Sequence, residues 1–213
     1  MFKKLIPQTL QTLSKASKEY NSYCPFVLDH KSRPVPEGIK TRYARYDDAQ
    51  AIARIISENN IDSNLDYSFF FERTKKELAR GGNLKGFHLI VAILDEEVVG
   101  YGRSILYTQE MVDRYKYKAP IGWYLMGLTV LPEYRGCGIG DLLTQERLRH
   151  IGQISTKAYY VVNEKNKTSI KMHEKYGFKI KEKGPGFLKI AFNDGLGILY
   201  ECSLINRESN GLL

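Results

Sequence analysis

The chain has 213 residues, 43% of them hydrophobic and 26% charged, with 32 Lys and Arg against 24 Asp and Glu for a net charge of +8. That balance excludes wholesale disorder, and a chain of this length buries about 70% of its unfolded surface, so its core needs no covalent staples. Three widely spaced cysteines (Cys24, Cys137, Cys202) without a CxxC pair argue against a disulfide framework and predict a reducing, cytoplasmic setting. No metal site is predicted, since Gly177 stands where HExxH would need a second histidine after His173-Glu174. The longest apolar stretch, IGWYLMGLTVL from Ile121, is shorter than the ~20 residues of a spanning helix, and Pro7, Gln8 and Thr9 interrupt any signal-peptide core, so no membrane association is expected.

Leu10, Leu13, Ala16 and Tyr20 recur at helical spacing and predict an N-terminal helix. The proline-containing CPFVLDHKSRPVPEG after it reads as a connector, so residues 1–38 form an extension to a domain over 39–206, with a tail at 207–213. IKTRYARY alternates like a strand, and Asp47 with Gln50 predicts a capping box before an apolar Ile52, Ile55, Ile56 helix face. A second helix is expected over Asp66–Arg80, with Glu72 and Lys76 paired and Gly81-Gly82 as the stop. FHLIVAIL and VVGYGRSILY flank LDEE as a hairpin. The Ile121–Leu131 stretch is the next strand, a glycine-rich turn leads to a helix over Asp141–Gly152, AYYVVN is a strand and Lys167–Tyr176 a short helix. FLKIAF and GILYECSLI are the last strands. The order βααβββαβαββ predicts an α/β layered domain around a mixed sheet.

The chemistry concentrates in LTVLPEYRGCGIGDLL, residues 128–143, where strand, glycine-rich turn and helix follow without interruption. Main-chain N–H groups at a helix start lack intrahelical partners and sit at the positive end of the dipole, an arrangement suited to phosphate. Gly136, Gly138 and Gly140 leave that approach clear, and Arg135 adds a permanent charge. A P-loop is excluded because its lysine is missing, and a dinucleotide fingerprint because Asp141 stands at its third small position. Cys137 at the helix start has no sequence-adjacent base, so covalent catalysis is not expected of it.

Arg135, Gly138 and Gly140 resemble the Arg/Gln-x-x-Gly-x-Gly/Ala acetyl-CoA loop of the GNAT N-acetyltransferase superfamily. NKTSIKMHEKYGF resembles the same family's later Asn-x-x-Ala-x-x-Leu-Tyr-x-Lys-x-Gly-Phe, with Asn166, Lys175, Gly177 and Phe178 matching and Ser169, Met172 and His173 departing from it. The resemblance covers about residues 39–205. It implies a three-layer fold, a twisted, mostly antiparallel sheet of about seven strands flanked by about four helices. It also implies an acetyl-CoA-dependent enzyme that acetylates a primary amine, on a small molecule or a protein, by direct attack and without a metal.

By the same resemblance Leu128, Thr129 and Val130 would pair with the pantetheine arm, one of their N–H groups polarising the thioester. Arg135, Gly136, Cys137, Gly138, Ile139 and Gly140 would hold the pyrophosphate, and Asn166 would cap the next helix or bond pantetheine. His173 occupies the slot of the family's tyrosine, thought to protonate the leaving thiolate, and an imidazolium could replace it. The segments 57–68 and 107–120 would vary the acceptor side. Phe69–Phe71, Trp123 and Tyr124 would line that side or pack the core. Lys165–Lys189 would meet the 3′-phosphate of CoA, and a homodimer is left open. Two other classes answer to the same residues: a CoA-sensing module without useful turnover, and a basic RNA-binding protein, for which an RNP-type aromatic motif is lacking.

Overall fold

The computed structural model describes residues 33–59, 66–79, 86–193 and 195–205; the expected N-terminal helix and the 207–213 tail lie outside them. Strand β1 (Lys40–Tyr43) leads through a 3-10 turn at Tyr46–Asp48 to helices α1 (Ala49–Glu58) and α2 (Tyr67–Ala79). The hairpin β2 (Phe87–Leu94) and β3 (Glu97–Tyr107) follows, then a short helix α3 (Gln109–Asp113) and β4 (Gly122–Val130). A second 3-10 turn at Pro132–Tyr134 precedes α4 (Ile139–Gly152), β5 (Lys157–Asn163), α5 (Lys167–Glu174) and β6 (Lys179–Gly184). A small hairpin of β7 (Gly186–Phe187) and β8 (Ile190–Ala191) and the long β9 (Gly197–Ser203) complete the chain.

Seven strands form one sheet in the order β1-β2-β3-β4-β5-β9-β6, and only β4 and β5 run parallel. This is the α/β, mostly antiparallel sheet expected. The strand FLKIAF is corrected: it is the β7/β8 hairpin, turned at Leu188, whose φ of +54° breaks an extended run. The seventh sheet strand is β6, KIKEKG, exposed along almost its whole length and therefore without the apolar alternation that marks a half-buried strand. The Asp47–Gln50 capping box expected before α1 is corrected: Asp48 precedes the helix without a side-chain cap, and its Oδ2 closes the 3-10 turn by accepting from the Arg45 N–H at 2.6 Å while pairing with Arg42 Nη1 at 2.6 Å. On α2, Glu72 pairs with Lys75, one position before the predicted partner. Asp66 caps that helix by accepting from Phe69 N–H.

Adjacent residues of β3 establish the layers, because successive side chains of a strand point to opposite faces. Arg103 meets Glu77 of α2, while a Cβ at Gly102 would lie 2.8 Å from Arg147 Nε of α4. Helix α5 shares the α4 face, since its His173 stacks on Tyr160, which clusters with Leu148. The β7/β8 hairpin takes the α2 face, its Phe187 and Leu188 packing with Tyr107, Tyr124 and Tyr159. The β2/β3 turn uses Asp95 and Glu96, both at positive φ, the mirror-image turn that follows the twist of a hairpin.

Candidate active site

A cleft opens between β4 and β5. The parallel pairing of these strands stops after three residue pairs, Trp123–Ala158, Tyr124–Tyr159 and Leu125–Tyr160. Just beyond, β4 bulges: Arg103 pairs with Met126 and Gly102 with Leu128, leaving Gly127 as the extra residue at φ +58°. A bulge bends its strand and needs a residue tolerant of left-handed geometry, which glycine provides without a steric penalty.

The direction of the amides past the bulge follows from strand alternation. Leu131 N–H bonds to Val99 O on the β3 side. Thr129 therefore also faces β3, and Leu128 and Val130 turn their N–H and C=O groups toward β5. Of the three strand positions expected to meet pantetheine, Leu128 and Val130 border the cleft with their backbone, and Thr129 belongs to the β3 ladder beside Tyr101. Val130 O is engaged by Arg135 Nε at 3.1 Å.

The glycine-rich turn stands at the end of this edge. Gly136 and Gly138 have φ of +75° and +74°, and Gly138 is the N-cap of α4. No side chain caps that helix, so its first N–H groups are left to the solvent side of the turn, the arrangement that binds phosphate. A Cβ on Gly140 would come 3.4 Å from Met172 Sδ and 3.6 Å from a Leu128 methyl, so the helix start, the β4 edge and α5 converge here. Ile139 and Cys137 are buried in the core below the turn.

Two of the expected binding residues have their side chains bonded within the protein, Asn166 in the capping role expected of it. Arg135 donates to Val130 O and to Asn59 Oδ1 at the end of α1, and its N–H bonds to Pro132 O. It braces the turn. Asn166 Oδ1 accepts from Ser169 N–H at 3.0 Å and caps α5, the local role of its residue type.

Residues missed from sequence complete the turn. Arg33 N–H bonds to Gly136 O at 2.9 Å, and its guanidinium donates to Glu133 O and Arg135 O. Val35 lies against Gly138, where an added Cβ would come within 2.9 Å of its methyl. The connector thus lies across the turn, a contact between segments 100 residues apart that local patterning does not reveal. The Gly127 bulge did carry a signal, a glycine inside a strand pattern.

His173 is only 4% exposed. Its ring stacks on Tyr160 at 4.0 Å and meets Phe178 edge-on, and Nδ1 donates to Ser169 O at 2.8 Å, which fixes Nε2 as the unprotonated nitrogen. Burial pushes its pKa down to about 3, with a smaller contribution from Arg147. The imidazole is neutral at pH 7. His88, stacked on Trp123, is likewise held down to about 4, chiefly by burial. Because both folded-state values lie below the unfolded ~6.5, the stability they contribute is full above pH 6.5 and lost as pH falls toward 4 and then 3. The urea midpoint is expected to drop between pH 7.5 and pH 5, and the drop to shrink in His173→Phe; an equal drop in that variant would contradict the assignment. Tyr176 OH donates to Asp141 O at 3.0 Å, and burial, then the Asp141 charge, pushes its pKa up to about 12.

Of the aromatic residues expected to line the acceptor side or pack the core, Phe69 and Phe71 are half-buried against the core. Trp123, Tyr124 and Phe70 are buried, and Tyr124 OH donates to Pro120 O. The basic tract divides: Lys167 and Lys171 are exposed on α5, Lys179, Lys181 and Lys183 line the β6 edge, and Lys189 turns to the α2 face. Among the described residues no cluster of metal-ligating side chains occurs, and no helix is long and apolar enough to cross a membrane.

The splayed parallel strand pair thus ends at an uncapped, glycine-rich helix start, a cleft with an open backbone edge and a phosphate-suited end. The sequence profile of the acetyltransferase (GNAT) family matches residues 50–178, and the chain belongs to that family. It is therefore an acetyltransferase by family, and its fold is shared with solved relatives. A GNAT-family acetyltransferase from Desulfovibrio desulfuricans superposes with a TM-score of 0.61 at 18% identity, over 78% of this chain and 99% of that one. The ribosomal-protein-S5-alanine acetyltransferase of Vibrio fischeri gives 0.61 at 17% identity, covering 80% and 96%. The PaiA N-acetyltransferase of Thermoplasma acidophilum, solved with coenzyme A, gives 0.56 at 16%, covering 78% and 98%. A comparison with curated proteins finds no sequence match.

Proposed function

We propose that the protein transfers the acetyl group of acetyl-CoA to a primary amine by direct attack. The observation that carries this reading is the outward-facing backbone edge at Leu128 and Val130, running from the Gly127 bulge to the uncapped start of α4. Pantetheine is an amide-containing chain and can hydrogen-bond to that edge as a further strand would. The pyrophosphate then falls at the N–H groups after Gly138, and Lys167 and Lys171 stand on the side where the 3′-phosphate would lie. The amine nitrogen attacks the thioester carbon, the carbon–sulfur bond breaks, and the CoA thiolate leaves while the amine proton passes to solvent. The Leu128 N–H is the donor placed to stabilise the carbonyl oxygen as charge develops.

A thiolate with pKa ~8.5 leaves tolerably without an acid. The neutral, enclosed His173 therefore serves as a positioning residue that packs α5 on β5, rather than as the imidazolium expected from sequence. This reading predicts a kcat without a descending limb between pH 6.5 and 8. The cysteine usage supports a cytoplasmic location.

Gly127→Val tests the bulge. A side chain at φ +58° costs about 1–2 kcal/mol and favours a regular strand, which misdirects the Leu128 N–H. Losing one such donor lowers rates about 100-fold. Thiol release from acetyl-CoA with a panel of primary amines is expected to show that loss in kcat with KM for acetyl-CoA little changed. Unaltered kcat in the variant would remove Leu128 from this role, and thiol release by no amine would leave a binding module in place of an enzyme.

A further inference from the structure

On the sheet face opposite α4, a group of charged side chains lies beside the β4 bulge, outside the machinery assigned to acetyl-CoA. Arg103 stands on β3 directly opposite Met126, the residue before Gly127. It is buried, with its guanidinium about equally distant from the Phe87 and Tyr101 rings, at 5.9 and 6.0 Å. Its Nη2 is 3.1 Å from Glu77 Oε2 on α2, and Glu77 Oε1 accepts from Arg73 Nε at 3.1 Å. One carboxylate thus serves two guanidinium groups. Lys189 adds a third cation to the same neighbourhood, interacting with Arg73, Arg103 and Glu77 together. Among the described residues, three positive charges face one negative charge here.

Two further observations mark this as a built site rather than a solvated face. Leu188, fully buried, is held at φ +54°, a conformation that L residues rarely adopt, and its bridge to Tyr117 fixes it there. The turn this creates brings Lys189 back over α2. Although Lys189 is exposed, its pKa is lowered to about 8, first by the surrounding protein and then by Arg73 and Arg103. In addition, Arg103 Nε is enclosed without meeting a hydrogen-bond acceptor, which is rare for a buried guanidinium. The surplus charge lies beside Met126 and Gly127, on the sheet face opposite α4.

We propose that the acceptor amine carries a carboxylate, which Lys189 and Arg73 bind beside the bulge, with Arg103 supplying charge from beneath and Glu77 holding the two guanidinium groups in place. The inference rests on the acetyltransferase reading and narrows its substrate class. A guanidinium suits the planar carboxylate, and a second cation adds charge without demanding a particular distance to the amine.

The test uses thiol release from acetyl-CoA with matched pairs: amino acids and their amides, β-alanine and propylamine, a peptide with an acidic residue at its amino terminus and its amide counterpart, and phosphoethanolamine with ethanolamine. The carboxylate member is expected to have at least a tenfold higher kcat/KM than its neutral partner in one or more pairs. Lys189→Gln and Arg73→Gln are expected to erase about tenfold of that preference through KM of the acceptor, and Lys189→Arg to retain it. The acetyl-CoA-dependent melting shift of each variant serves as the folding control. Neutral amines used as well as carboxylates, variants that slow every amine equally, or preference for the phosphate member alone would overturn the proposal. So would normal acetyl-CoA binding with no carboxylate amine acetylated. Absence of both acetyl-CoA binding and thiol release would instead overturn the parent reading.

Discussion

Acetyl-CoA is expected to raise the melting temperature of the wild-type protein and to leave that of Gly138→Glu unchanged. A ligand that binds only the folded state, present at 100 times its dissociation constant, adds about 2.7 kcal/mol, or roughly 5–10 °C for a chain of this size. Glutamate at position 138 acts against this in three ways. Its backbone is disfavoured at φ +74°, its Cβ meets the Val35 methyl, and its charge stands where the first N–H groups of α4 would hold a pyrophosphate. The first two effects lower the melting temperature without ligand, so the ligand-induced increment is the quantity to compare. An increment equal to that of the wild type would place the phosphate-binding groups away from this turn.

The largest loss of stability is expected from Arg147→Ala. Arg147 is 1% exposed, and burial pushes its pKa down to about 9, so it is a cation at pH 7 inside the layer between α4 and the sheet. Its hydrogen bonds go to neutral oxygens: Nε to Leu143 O, Nη1 to Arg103 O and Nη2 to Thr144 Oγ1. Truncation leaves a cavity and strands the Arg103 carbonyl, which together predict a loss of about 3–5 kcal/mol in urea unfolding. Arg147→Met refills much of the volume and leaves the carbonyl unsatisfied, so its loss should be smaller. Gly102→Ala presses a methyl onto the same guanidinium and is expected to destabilise through overpacking, by about 1–3 kcal/mol. A loss under 1 kcal/mol in Arg147→Ala would mean that the layer closes over the gap.

The fold was legible where apolar periodicity is strong, as in the β2/β3 hairpin and the Ile52, Ile55, Ile56 face of α1. It failed at β6, whose two exposed faces remove the alternation, and at Leu188, where tertiary packing forces a turn that no turn-forming residue announces. The candidate site was legible as a chain segment, because the turn from Arg135 to Gly140 is contiguous. Its side-chain roles were not. The guanidinium of Arg135 turns back to Val130 O, and the imidazole of His173 turns into an aromatic stack; both choices depend on neighbours far away in sequence. The Arg73, Glu77, Arg103 and Lys189 group joins three elements and has no local signature.

The short β4–β5 seam bears on how the molecule breathes. Three residue pairs, with the packing around Trp123 and Leu125 on one face and around Tyr124 on the other, connect the β1–β4 half of the sheet to β5, β9 and β6. A sheet opens first where its ladder is thinnest, so amide hydrogens of β5 and β9 should exchange with solvent through a partial opening that leaves β1–β4 folded. A molecule bonded to both lips of the cleft makes that opening rarer, and the co-substrate then acts as a structural rung as well as a reactant.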